Sequence, residues 1–138
     1  MKRLVLLAVA ALFLSACKTK TSVDHAAHLE RFNHIFVEHV LSDGHSIDEL
    51  IARELRSRGY DASAGPLTMM PPDTEAIIAY QAEWTFDFTT YMIELDIAIR
   101  EAKTGRQIGV GQTFRPAFTG NDPMVMIKRV IDPTFPQK

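Results

Sequence analysis

Ala76-Ile77-Ile78-Ala79-Tyr80-Gln81-Ala82-Glu83-Trp84-Thr85-Phe86-Asp87-Phe88 alternates, and the alternation decides the fold. The even positions Ala76, Ile78, Tyr80, Ala82, Trp84, Phe86 and Phe88 are apolar, while Gln81, Glu83, Thr85 and Asp87 between them are polar. A period of two marks a strand with one buried face. From Tyr91 the phase reverses: Tyr91, Ile93, Leu95, Ile97 and Ile99 are apolar, opposed by Glu94, Asp96 and Arg100. An antiparallel hairpin with an even-length loop near Asp87–Thr90 puts both apolar sets on one face. Aromatic and β-branched side chains then pair across the strands. This reading places Trp84, Phe86 and Phe88 in the core. Near a hairpin tip they are also candidate interface anchors, because aromatic side chains dominate binding hot spots.

Downstream, Lys103-Thr104-Gly105-Arg106 reads as a tight turn with Gly105 at positive φ. Gln107–Phe114 is then the third strand of the meander, with Ile108, Val110 and Phe114 inward. Asp122-Pro123 supplies an N-cap and a proline at the first helical position. A short helix carries Met126, Ile127, Val130 and Ile131 inward, and Pro133 and Pro136 end it.

Upstream, Asn33–Leu41 is a β-branched and aromatic run typical of a buried strand. Ser46-Ile47-Asp48-Glu49 fits a capping box, in which Ser46 and Glu49 bond each other's backbone amides. Ile47, Leu50, Ile51 and Leu55 form a helical stripe, with Arg53, Glu54, Arg56 and Arg58 toward water. Gly59 and Tyr60 match a Schellman stop. Residues 64–74, with Gly65, Pro66, Pro71 and Pro72, read as a loop. Met69 and Met70 at its centre are candidate interface residues, since methionine adapts to irregular surfaces. The order is β-α-β-β-β-α: an α+β sandwich with a mixed sheet of about four strands and helices on one face. The strand–helix–strand passage favours a right-handed crossover.

The beginning of the chain is of another kind. Met1-Lys2-Arg3 is basic, Leu4–Leu14 is an apolar run of eleven, and Ser15-Ala16 precede Cys17. This is the layout of a secretory signal. It is too short to span a bilayer, which takes roughly 20 apolar residues for about 30 Å of hydrocarbon. Leu14-Ser15-Ala16-Cys17 resembles the lipobox of bacterial lipoproteins. The resemblance implies lipidation of the Cys17 thiol, cleavage before Cys17 and acylation of the new amino group. Cys17 is the only cysteine, so no disulfide is available to an exported chain. Two or three acyl chains anchor stably where one does not. Lys18 follows directly; in enterobacterial lipoproteins an Asp there retains the protein in the inner membrane, so the resemblance implies the outer membrane. Residues 1–16 are thus the signal peptide, 17–31 the lipidated cysteine and a tether reaching up to about 45 Å, and 32–138 one periplasmic domain.

Loss of Lys2 and Arg3 takes the 15 basic residues to 13 against 17 acidic ones, a formal charge of −4. An acidic balance argues against nucleic acid and against a polybasic grip on anionic lipid.

Behind a lipobox, this element order is similar to the small periplasmic α/β domain of several envelope proteins. They include the lipoprotein activators of penicillin-binding proteins, the curli secretion channel lipoprotein and the amino-terminal domain of TolB. The resemblance covers about residues 32–132, with Ser46–Tyr60 its best-matched stretch, and it implies docking or assembly rather than catalysis.

Catalytic motifs do not assemble. His25, His28, His34, His39 and His45 offer no set of three or four convergent ligands, and His34 and His39, five apart, point to opposite strand faces. Lys103-Thr104-Gly105 lacks the serine three residues before a lysine that β-lactamase chemistry requires. Gly109-Val110-Gly111 lies in a strand, without the third glycine of a dinucleotide loop, and fits a bulky neighbour lying over the backbone. Glu83, Asp87, Glu94 and Asp96 form an outward acidic row, solvated or facing a basic partner. The expectation is a lipid-anchored, non-catalytic accessory or docking module of the envelope, without cofactor or metal. Its partner is a protein or a second copy. The rival reading is a carrier for a small envelope ligand in a pocket between helix and sheet.

Overall fold

The computed structural model describes residues 18–23, 28–115, 120 and 122–138. The lipobox residues Leu14, Ser15, Ala16 and Cys17, and His25, lie outside the described residues. The strands and α-helices follow as β1 (Lys18–Val23), β2 (His34–Glu38), α1 (Ile47–Ser57), β3 (Asp61–Gly65), β4 (Ala76–Asp87), β5 (Thr89–Glu101), β6 (Gln107–Phe114) and α2 (Met124–Ile131). One mixed sheet runs β1-β6-β5-β4-β2-β3. The α+β class stands, and the expected count of about four strands is corrected to six.

Both unexpected strands owe their form to partners rather than to their own sequences. β3, Asp-Ala-Ser-Ala-Gly, lies parallel to β2 over the full length of each. β1, Lys-Thr-Lys-Thr-Ser-Val, has no apolar alternation and is exposed at Lys18–Ser22, yet it pairs antiparallel with β6 from Lys18↔Phe114 to Val23↔Gly109. The stretch expected to be tether therefore opens with a strand. It closes with a 3-10 turn at Leu29–Arg31 whose Leu29 is buried.

The β4–β5 hairpin forms with inward aromatic and aliphatic pairs: Ile78↔Ile99, Tyr80↔Ile97 and Ala82↔Leu95. The phase reversal has a different cause from the one expected. The strands meet across the single residue Phe88, with Asp87↔Thr89, and the register shifts between Glu83↔Glu94 and Trp84↔Met92. Ile93 is thus an extra residue in β5, a bulge that reverses parity. Met92 is fully buried beyond it, and Ile93, expected inward, is half-buried. A second shift between Ile99 and Arg100 leaves Ile108 extra in β6. Ile108 is buried as expected, but Val110 and Phe114 turn outward, while Gly111 and Thr113 face in.

In α1 the capping box is absent. Ser46 sits in the left-handed region at φ 54° and makes no side-chain cap. Asp43 caps instead, its Oδ2 accepting the Ile47 amide at 2.8 Å and its Oδ1 the His45 amide at 2.8 Å. The Schellman stop is present: the Tyr60 amide donates to the Leu55 carbonyl, the Gly59 amide to that of Arg56, and Gly59 has φ 95°. Glu54 and Arg58, expected in water, are buried. Arg58 donates to Glu54 Oε1, to the Phe135 carbonyl and to Asp132, so a chain end folded back over α1 dries what the stripe leaves wet. In α2, Asp122 Oδ1 accepts the Met124 amide at 2.9 Å. A β-carbon on Gly111 would lie 3.2 Å from Val130 Cγ1 and 3.1 Å from Ile97 Cγ1, so the expected close neighbour is α2. Ile47, Ile51 and Leu55 of α1 and Met126, Ile127, Val130 and Ile131 of α2 join the inward strand residues in one core.

Candidate functional site

The inward side chains of the sheet and the apolar stripes of both helices belong to that single core. The opposite face of β4, β5, β6 and β1 carries three rows of side chains. Ala79, Ala98, Val110 and Ser22 are one row, Gln81, Asp96, Gln112 and Lys20 the next, and Glu83, Glu94, Phe114 and Lys18 the third. The first two rows line an open trough of about 620 Å³. Its floor is small and apolar at Ala79, Ala98 and Val110.

Asp96 is the chemical centre of the trough. Its Oδ1 has no accessible surface and no hydrogen-bond partner among the described residues. The neighbouring amides do not supply one: Gln112 Nε2 donates to Glu94 Oε1 at 2.6 Å and Gln81 Nε2 to Glu83 Oε1 at 3.1 Å. A shielded acceptor without a donor costs on the order of 1–3 kcal/mol, more for a charged group, and a partner N–H or cationic group that displaces the side chains covering it relieves that cost. Glu83 and Glu94 stand directly opposite each other one row away, a like-charge pairing that is itself unfavourable. This patch therefore suits a basic, donor-rich surface. The expected acidic row is present, and Asp96 is its distinctive member. One signal for the trough was visible in the sequence: Ile77 and Ala79 are apolar at odd positions of a strand whose other odd positions are polar.

A second concavity of about 500 Å³ lies between the β2–α1 loop and β4. Tyr80 donates from its hydroxyl to Asp43 Oδ2 at 2.6 Å. Burial disfavours the Asp43 carboxylate, but the hydrogen bonds from Tyr80, Ile47 and His45 outweigh it and hold the carboxyl below the ordinary aspartate range. Burial, then the bond to Asp43, pushes the Tyr80 hydroxyl well above the ordinary phenol range. His45 stacks on Trp84 with ring centroids 3.6 Å apart, and His39 Nδ1 lies 2.9 Å from Asp48 Oδ2. These groups bind one another and brace the loop.

The expected interface residues divide. Trp84 is half-buried against the core. Phe86 and Phe88, expected inside, are 73% and 97% exposed. The reason is length: β6 stops pairing with β5 at Glu94, and β2 pairs with β4 only at Ala76–Ile78, so the two-stranded ribbon past Trp84 and Met92 projects, with Trp84, Tyr91 and Met92 packed at its base. Met69 is exposed and Met70 half-buried in the connection after edge strand β3, a separate place on the surface. His39 lies outside β2, so the two-face argument for His34 and His39 does not apply; His34 instead lies between Asp61 and Asp73. No group of three or more potential metal ligands is found among the described residues.

No protein-family model and no curated protein matches the sequence. Solved structures do match the fold. A PelC dodecamer from Paraburkholderia phytofirmans is similar in two crystal forms. One has TM-score 0.67 at 14% identity over 85% of this chain and 96% of that one, the other TM-score 0.65 at 12% identity over 88% and 99%. A DUF4136 family protein from Bacteroides thetaiotaomicron matches with TM-score 0.54 at 13% identity over 90% of this chain and 100% of that one. At such identities the likeness is one of fold, and the chain has the mixed-sheet α+β architecture of PelC and DUF4136 proteins.

Proposed function

We propose that this chain is a lipid-anchored lipoprotein of the outer membrane, acting in the periplasm as a non-catalytic docking module that assembles with itself or with an envelope protein. The observation that carries the reading is the uncovered sheet face, with its apolar floor and unpaired Asp96 oxygen. A face of this kind favours a protein surface that brings donors. Exposed basic side chains of a second copy, such as Arg53 on α1 and Lys128 on α2, supply that chemistry. The lipobox favours the anchored location. The dodecameric PelC structures are a precedent for assembly on this fold. The likeness to activators of penicillin-binding proteins, to the curli channel lipoprotein and to TolB stays one of element order, and it favours the same class of role.

Analytical ultracentrifugation of the detergent-solubilised mature protein tests the reading, with Val110→Arg on the trough floor as the comparison. The expected result is an oligomer, or a complex recovered by in vivo cross-linking, that Val110→Arg abolishes. A monomer with no cross-linked partner would overturn it.

A second reading rests on the trough volume. About 620 Å³ holds a small ligand, and the unpaired carboxylate favours a cationic one. Native mass spectrometry of protein extracted from its own cells distinguishes a carrier by a bound small mass that Asp96→Asn removes.

A further inference from the structure

The register of the sheet fixes which end of the molecule faces the anchor. Lys18, Phe114, Glu94 and Glu83 lie in one row across β1, β6, β5 and β4. Cys17 is one peptide unit from Lys18, about 3.8 Å between α-carbons. The ribbon Trp84–Met92 continues β4 and β5 beyond this same row, so its tip projects from the end of the sheet at which the anchoring residue enters. Other exposed apolar side chains lie toward that end. Phe114 is in the row itself, and Leu41, 93% exposed, follows the C-terminal end of β2, which runs parallel to β4.

Phe86 and Phe88 at the tip lie outside the core cluster. Phe88 is 97% exposed and holds φ 63°, a left-handed conformation that a bulky residue rarely adopts. A strained, exposed aromatic at the one-residue turn runs against both conformational preference and solvation. A two-stranded ribbon has little stability of its own in water. Glu83, Asp87 and Glu94 flank it. Carboxylates at that level limit the tip to a shallow depth and give anionic lipid no advantage.

We infer that the Phe86–Phe88 tip is a membrane-contact element that dips into the headgroup and upper acyl region of the bilayer beside the lipidated cysteine, fixing how the domain stands on the membrane. The inference takes its orientation from the lipid-anchor reading above. The occupant is bilayer lipid: the tip emerges from the end of the sheet next to the anchoring residue, whereas the candidate protein-docking trough lies on the sheet face.

The test uses the full lipidated protein in vesicles of phosphatidylethanolamine and phosphatidylglycerol containing lipids brominated near the headgroup. Trp84 is the only tryptophan, so Trp84→Phe combined with Phe88→Trp moves the reporter to the tip. Because an interfacial side chain sits about 5–10 Å into the headgroup and acyl boundary, about half or more of the tip fluorescence should be quenched. Raising the phosphatidylglycerol fraction should not increase the effect. The parent protein, with Trp84 at the neck, should be quenched less, and it also shows that the reporter variant keeps its fold if their circular dichroism agrees. Unquenched tip fluorescence, or a blue shift that depends on protein concentration instead of on brominated lipid, would overturn the inference, the latter by placing the tip in a second copy. Intact mass separates the two claims: an acylated Cys17 with an unquenched tip leaves the anchor reading standing alone, and a quenched tip without acylation leaves the contact standing alone.

Discussion

Asp43 accepts three hydrogen bonds, from Tyr80, His45 and Ile47, and so joins β4, the loop and the start of α1. Its replacement by Ala removes a cap and leaves the Tyr80 hydroxyl without its acceptor. We expect a loss of about 2–3 kcal/mol in chemical denaturation. Arg58→Ala should cost more, about 3–5 kcal/mol, because Glu54 would be left buried without its cation. Glu75 accepts the amides of His34 at 2.9 Å and Asn33 at 2.6 Å, and these bonds hold its carboxyl below its ordinary value of 4.5. A carboxyl lowered in the folded state stabilises at neutral pH, and that contribution fades as pH falls through the folded value. Glu75→Gln should therefore lower the melting temperature at neutral pH, with the gap narrowing as pH falls below 4.5; a gap that widens in acid would contradict the assignment. At this scale the sequence was informative only in part. Gly59 was legible because a left-handed stop needs glycine. Ser46 was misleading, because the same cap can be supplied by an aspartate three residues earlier, and local pattern does not choose between them.

Among the elements, β4 and β5 were the most legible, since apolar–polar alternation sustained over a dozen residues matches the pleat of a strand and no helical period. What alternation could not locate was the parity change. An even loop and a one-residue bulge both reverse the phase, and only cross-strand pairing distinguishes them. Deleting Ile93 removes the unpaired residue and leaves Trp84↔Met92 and Glu83↔Glu94 as consecutive pairs, so the register and both inward sets should be kept. We expect a loss of only about 1–2 kcal/mol from the half-buried side chain, with the cooperative thermal transition retained; loss of that transition would contradict the bulge assignment. At the β6–α2 contact, Gly111→Val should cost about 1–3 kcal/mol by crowding Ile97 and Val130, with Gly111→Ala cheaper. β1 and β3 were illegible for a shared reason: their sequences carry no apolar alternation, and a neighbouring strand supplies what holds them.

For the whole molecule, the α+β class was legible from element order, while the candidate trough left only the apolar odd positions Ile77 and Ala79 as a trace. Its floor of Ala79, Ala98 and Val110 comes together only when three strands are in register, and Val110 was assigned inward because the bulge at Ile108 was invisible. Cys17→Ala should block lipidation and leave the precursor uncut at this site; palmitate labelling that survives the substitution would refute it. β1 adds a mechanical property to such an anchor. Under the anchor proposal a pull on residue 17 enters the fold at Lys18, and its component along β1 acts on a ladder to β6 that spans Lys18 to Val23. Hydrogen bonds between antiparallel strands lie across the strand axis, so an axial load is shared by the whole ladder in shear and does not peel it one bond at a time. Under that proposal the polar, featureless hexapeptide that read as slack becomes a coupling from the attachment point into the body of the sheet.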